Sequence, residues 1–186
     1  MTVQFERAIQ LNGTTEMHKS IGMHRVCEIQ LIARIADMVR PGLYLELGCG
    51  DGYTMSQIKT LSPKTRLVGY EHLQENIPSG VEIRQMDIFS DAVLAEIKTL
   101  IWAYQDTRVF VYTDNGDKPR ELRMIAPLLK SGDILGTHDW PNEVLVPLSN
   151  LEPGEQFLLD QGFEVINELN PYIEEFASLQ RFWIKR

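Results

Sequence analysis

Three glycines at alternate positions, Gly48, Gly50 and Gly52, follow a short apolar run that carries one acid, Glu46; the stretch Tyr44–Gly52 reads Y-L-E-L-G-C-G-D-G. A strand that breaks into a helix through such glycines lets a ligand lie against bare backbone at the helix N-terminus, because glycine tolerates positive φ and has no Cβ to hold the ligand away. Other residues able to do chemistry follow at intervals: Glu71 with His72, Asp87 with Ile88, the run D-N-G-D-K holding Asp114, Asn115 and Lys118, and His138-Asp139-Trp140. Carboxylates of this kind accept hydrogen bonds from hydroxyls and ammonium groups or ligate a divalent cation, and Lys and His can move a proton.

Two ligand classes use a glycine turn of this sort. The dinucleotide fingerprint G-x-G-x-x-G fits Gly48 and Gly50 but fails at its last glycine, where Tyr53 stands. An acid at Glu46 would also repel a pyrophosphate, whereas it suits a ligand that carries an ammonium. A glycine-rich turn with no ligand is the plain alternative. Cys49 sits inside the turn, but neither a second cysteine nor an activating base lies beside it, so a redox role has no support.

The elements that must position these residues alternate between strand and helix. Leu43–Leu47 reads as a buried strand and Tyr53–Leu61 as the helix after it. Before them, Met1–Met23 reads as a short helix and a loop. His24–Val39 reads as a helix with Val26, Ile29, Ala33, Ala36 and Val39 on one stripe, stopped by Arg40-Pro41-Gly42. Further strands are expected at Thr65–Glu71, Val81–Met86, Arg108–Tyr112 and Asp133–Thr137. Helices are expected at Asp91–Tyr104 and from Pro119 to about Leu129, the second with Asp117 as its N-terminal signal. Pro141–Gly154 reads as loop, Glu155–Gln161 as a short helix, and Phe163–Leu169 and Leu179–Ile184 as an antiparallel pair. Five β–α alternations predict an α/β chain with a doubly wound sheet and helices on both faces. No repeat or linker divides it, so residues 1–186 read as a single domain. In such a sheet the ligand lies outside the carboxyl ends of the strands, and these are the places where the acids fall.

The pattern E-x-G-x-G-x-G, with its acid two residues before the first glycine, resembles the first motif of the class I S-adenosylmethionine-dependent methyltransferases. D-N-G-D-K after the fourth strand and G-D-I-L-G-T-H-D-W around the fifth resemble the cephalosporin-hydroxylase-like and macrocin O-methyltransferase-like branch, and more distantly catechol O-methyltransferase. The resemblance covers roughly Met17–Trp140. It implies the full arrangement of the sheet: Rossmann-like, doubly wound, mostly parallel and seven-stranded, with a terminal antiparallel hairpin strand. It implies a methyltransferase domain in which residues 1–23 cover the cofactor or substrate. It implies that S-adenosylmethionine is held by Glu46 and the turn Gly48, Cys49, Gly50 and Gly52 at its methionyl end. Glu71 and His72 would take the ribose, and Asp87 with Ile88 the adenine, with Asp114 bordering the cofactor. It further implies a divalent metal, Mg²⁺ or a transition metal, on Asp114 and Asp139. His138 stands where many relatives have a second acid, and imidazole favours transition metals over Mg²⁺.

The reaction so implied is O-methylation of a small-molecule acceptor. The acceptor hydroxyl must be aligned opposite sulfur and lose its proton to a base, or meet a metal that lowers its pKa. Lys118, with an ordinary pKa of about 10.4, His138, near neutral, and Asp114 are the candidate catalytic groups. No N/D-P-P-Y/F motif follows the fourth strand, which argues against amino-group methylation of nucleic-acid bases. The alternatives are a nicotinamide-dependent oxidoreductase on the same fold, disfavoured by Tyr53, and a non-catalytic cofactor-binding protein, disfavoured by the acids at the last two strand ends.

Composition narrows the partners. Lys and Arg number 18 against 26 Asp and Glu, a net charge of −8 over 186 residues with no basic run, so no nucleic acid is expected. Met1–Gly13 has neither a basic nor an apolar leader region, no apolar run is long enough to span a membrane, and there are two cysteines, Cys27 and Cys49. A reduced, cytoplasmic protein is expected. The acceptor pocket is expected to be completed by the N-terminal segment or by a second subunit in a homo-oligomer, because Pro141–Gly154 offers few shaping elements.

Overall fold

The computed structural model describes residues 20–21, 24–72, 80–140, 148–175 and 178–186. Its first element is a two-residue antiparallel hairpin, β1 (Ser20–Ile21) on β2 (His24–Arg25). Helix α1 therefore begins at Val26 and not at His24, and it runs to Val39. The expected short helix within Met1–Met23, and the cover it was to provide, fall on residues outside those described.

From Leu43 onward strands and helices alternate: β3 (Leu43–Leu47), α2 (Tyr53–Leu61), β4 (Arg66–Glu71), β5 (Glu82–Gln85), α3 (Asp91–Ala103), β6 (Val109–Thr113), α4 (Lys118–Ile125) and β7 (Ile134–Thr137). Then come α5 (Leu148–Asp160), β8 (Phe163–Val165), α6 (Asn170–Glu175) and β9 (Arg181–Lys185). Two helix starts carry side-chain caps, Asp117 as expected and Ser90 in addition. The Ser90 hydroxyl accepts from Val93 N at the head of α3, and the Asp117 carboxylate accepts from Arg120 N at the head of α4, with Pro119 in its first turn.

Seven strands form one sheet in the order β5-β4-β3-β6-β7-β9-β8. The first five pair in parallel, and β9 runs antiparallel to both β7 and β8. The Rossmann-like, mostly parallel seven-stranded sheet with an antiparallel end is thus the observed architecture. Chain order reverses between β3 and β6, so the crevice at the carboxyl ends of those two strands is the topological switch point.

Side-chain alternation sorts the core into two layers. Leu43, Leu45, Leu47, Val109, Val111 and Trp183 face α3, α4 and α5, packing with Ile97, Leu122 and Leu158. Tyr44, Phe110, Tyr112 and Phe182 face the other way, toward Ile32 and Ile35 of α1 and Met55 and Ile58 of α2. Each such fully buried aliphatic side chain contributes about 1.5–3 kcal/mol relative to exposure. β3, β6 and β7 are buried along their whole length, which is why they read as continuous apolar runs.

Two further expectations are corrected. Pro141–Gly154 is not all loop, because α5 already starts at Leu148 and runs through Pro153 and Gly154. Gly154 is buried against Leu122 of α4, so tertiary packing prevails over the weak helix propensity of glycine and proline. Phe163–Leu169 is not one strand. β8 ends at Val165, and Asn167–Leu169 turns as a 3-10 helix into α6, sending Ile166 and Leu169 into the core from a turn.

Candidate active site

Gly48, Gly50 and Gly52 all adopt positive φ, at 83°, 49° and 70°. Two of them do different work. A Cβ on Gly48 would stand 2.5 Å from the carbonyl oxygen of Asp114 and 2.8 Å from Asn115 Cα, so its bareness lets the turn after β3 close against the loop after β6. A Cβ on Gly50 would meet nothing within 4 Å, so the outer face of the turn is open there. The turn is tied to β4: Gly48 N and Cys49 N both donate to the Tyr70 carbonyl, at 2.8 and 3.2 Å. Gly50 N donates to Glu71 Oε2 at 2.8 Å, and Glu71 Oε1 accepts from His72 N at 2.8 Å. The end of β4 thus holds a carboxylate directly on the glycine turn.

Glu46 is fully buried beneath this turn, and neither carboxylate oxygen makes a hydrogen bond of ordinary geometry. Burial pushes its pKa well up, Asp114 adds to the rise, and the nearby Thr54 and Tyr44 side chains oppose it. The Cys49 thiol points inward, where a Cβ on Gly69 would come within 2.6 Å of its sulfur, and burial raises its pKa. Cys49 therefore offers backbone and not a thiolate to anything above the turn. His72 and Asp87 are exposed, and the Asp87 carboxylate accepts from Phe89 N at 2.9 Å. The Ile88 side chain is buried in the core, leaving its backbone as the part able to meet a ligand.

The ends of β6 and β7 bring four charged side chains together. Lys118 Nζ lies 2.9 Å from Asp114 Oδ1 and 4.0 Å from Asp139 Oδ2. His138 Nδ1 lies 3.4 Å from Asp114 Oδ1 and 3.2 Å from Asp139 Oδ1. Asp139 holds φ 57°, an uncommon left-handed backbone for an aspartate that closes β7. Ligand atoms of Asp114, His138 and Asp139 all fall within 4.8 Å of one another, a spacing that could hold a cation. Lys118, the first residue of α4, is almost completely buried.

His138 also has a partner on its far side, Glu28 Oε1, 3.5 Å from Nε2. Burial acts to keep the imidazole neutral, but hydrogen bonding and charge from Asp114 and Glu28 outweigh it and push the pKa up to about 10. These contacts favour the imidazolium form of His138.

Sequence reading missed two buried acids here. Glu121 accepts from Asn115 N at 3.2 Å and Asp117 N at 2.9 Å and so fixes the D-N-G-D-K loop. Its place just inside the capped start of α4 is the signal that could have found it. Glu28 lay in a helix read only for its apolar stripe, and nothing local to α1 links it to β7.

No family model matches the chain, and no curated protein matches its sequence. Solved structures match its shape. The apo-structure of CmcI-N160 is 14% identical with a TM-score of 0.64, over 86% of this chain and 70% of that one. The plantazolicin methyltransferase BpumL, in complex with a monoazolic desmethylPZN analog and SAH, is 13% identical with a TM-score of 0.53, over 86% and 82%. MycE methyltransferase from the mycinamycin biosynthetic pathway, in complex with Mg and SAH, is 14% identical with a TM-score of 0.53, over 82% and 47%. With its strand order, its glycine turn at the switch point and these likenesses, the chain has the Rossmann-like methyltransferase fold.

Proposed function

We propose that this protein transfers a methyl group from S-adenosylmethionine to an oxygen of a small-molecule acceptor. One observation carries the reading: an open glycine turn at the switch point, with Glu71 seated on it, abuts a charged cluster through the contact between Gly48 and Asp114. The backbone at Gly50 is open on its outer face, which leaves room for a ligand to lie on it. BpumL and MycE, alike in fold, were solved in complex with SAH.

In this reading Glu46, buried and protonated, supports the turn from beneath, Gly48 packs it against the Asp114 loop, and the open backbone at Gly50, with Cys49 and Gly52 beside it, meets the methionyl end. Glu71 and His72 take the ribose, and Asp87 and the Ile88 backbone take the adenine. S-adenosylmethionine supplies a methyl group already activated by its sulfonium. The chain's part is to align the acceptor hydroxyl opposite that methyl and to take its proton. Asp114 borders both the turn and the cluster, so its carboxylate is the acceptor in reach. Lys118, bonded to it, compensates the charge.

The donor set of two carboxylates and one imidazole fits a divalent cation, with Asp114, His138 and Asp139 as ligands. Such a cation would supply charge that favours the ionised form of the acceptor hydroxyl. The test is SAH release from S-adenosylmethionine in the presence of hydroxylated small molecules, with and without chelator. Chelation and Asp139→Asn are each expected to lower turnover at least ten-fold. Full turnover under both conditions, with no metal recovered from the purified protein, would remove the cation and leave Asp114 and Lys118 to act alone.

A further inference from the structure

Glu28 lies in the first turn of α1, more than a hundred residues from His138, yet its carboxylate meets the imidazole on the side away from Asp114 and Asp139. Its own position is fixed from a third direction. Glu28 Oε1 accepts from Leu179 N at 3.4 Å, and the Glu28 carbonyl accepts from Gln180 Nε2, also at 3.4 Å. Gln180 Nε2 donates to the Tyr112 hydroxyl at 2.8 Å, and Ser178 Oγ lies 3.1 Å from Gln180 Oε1. Glu28 and Gln180 are 2% and 1% exposed, so this brace is solid core linking α1, β6 and the segment before β9.

We propose that Glu28 is a positioning residue that holds His138 by Nε2 so that Nδ1 faces Asp114 and Asp139, and that it thereby biases the site toward transition-metal cations over Mg²⁺. The inference rests on the metal reading given above and concerns what selects the metal. An imidazole that ligates through Nδ1 must carry its proton on Nε2, and that proton needs an acceptor. Glu28 Oε1, in ion-pair contact at 3.5 Å from Nε2 without hydrogen-bond geometry, is the acceptor that a small movement brings into reach. A carboxylate on the distal nitrogen fixes the tautomer and ring orientation and makes the ligating nitrogen more basic. A site of three oxygen donors has no such need. Hence a glutamate buried in α1 is accounted for by the histidine in the ligand set, and an imidazole so held prefers Co²⁺ or Zn²⁺ to Mg²⁺.

The test is calorimetric titration of the full chain with CoCl₂ and, separately, MgCl₂, supported by the visible spectrum of the Co²⁺ form. Wild type is expected to bind Co²⁺ more tightly than Mg²⁺. Glu28→Gln should weaken Co²⁺ binding about ten- to hundred-fold, the usual cost of losing such a partner, and shift the Co²⁺ spectrum, while Mg²⁺ affinity moves less than about three-fold on the oxygen ligands alone. Should Glu28→Gln fold poorly, Glu28→Asp keeps the charge but withdraws it from Nε2, and the same selective loss is expected. In a His138→Asp background, Glu28→Gln should no longer weaken Co²⁺, because it then removes a repulsion. Unchanged Co²⁺ affinity in both Glu28 variants would overturn the inference while leaving the metal site standing. So would an equal loss for Co²⁺ and Mg²⁺, which marks a merely structural glutamate. A wild type that binds neither cation would instead overturn the metal reading, and this inference with it.

Discussion

Glu46 shows what a single buried carboxyl does to the molecule's response to pH. Its folded-state pKa is raised, chiefly by burial, above an unfolded value of about 4.3. The folded chain therefore holds this proton over a range where the unfolded chain has released it. The group's contribution to stability is fully present below the unfolded pKa and is lost as pH rises through the folded one. Glu46→Gln keeps the shape and removes the titration, so denaturant melts at pH 5 and pH 8 should show a smaller fall in stability for the variant than for wild type. Equal falls would mean that the carboxyl is not shielded as described. Glu71 differs, being half-exposed and bound to two backbone N–H groups. If it also takes the ribose, Glu71→Ala should cost SAH binding about 1.5–3 kcal/mol, the worth of hydrogen bonds to a charged group. Calorimetry would read this as roughly a ten- to hundred-fold loss, and unchanged affinity would take Glu71 out of the site.

Between elements, the contact that joins the cofactor turn to the charged cluster is the approach of the β3 turn to the loop after β6, and Gly48 permits it. Gly48→Ala should destabilise the fold by on the order of 2–5 kcal/mol, since left-handed strain of about 1–2 kcal/mol adds to overpacking of about 1–3 kcal/mol. Gly50→Ala should cost only the strain. Gly50→Val should leave a folded protein that no longer binds SAH, because its branches fill the open face. Thermal melts and calorimetry on the three variants check this pattern. A Gly48→Ala protein as stable as Gly50→Ala would contradict the close approach. The neighbouring loop owes its shape to Glu121, whose two backbone bonds hold Asn115 and Asp117.

Across the whole molecule, what was legible in the sequence is what is written in short range. β3, β6 and β7 are apolar runs between breakers, the cap at Asp117 is local, and the site acids fall at strand ends because the sheet's geometry puts ligands there. What was not legible depends on contacts distant in sequence. α5 runs through Pro153 and Gly154 because α4 lies beneath it, β8 stops at Val165 so that Ile166 and Leu169 can turn inward, and Glu28 reaches His138 only once α1 packs on the sheet. The state of His138 was hidden for the same reason, since two of its three acid neighbours are far from it in sequence. Among the described residues no helix is long and apolar enough to cross a membrane. On the proposed function, the glycine turn holds S-adenosylmethionine and not a dinucleotide. Isothermal titration of the full chain with SAH and with NAD, in parallel, tests it most directly. SAH is expected to bind at micromolar concentration or tighter, binding is lost in Gly50→Val, and NAD gives no heat. Binding of NAD, or SAH binding that Gly50→Val leaves intact, would contradict it.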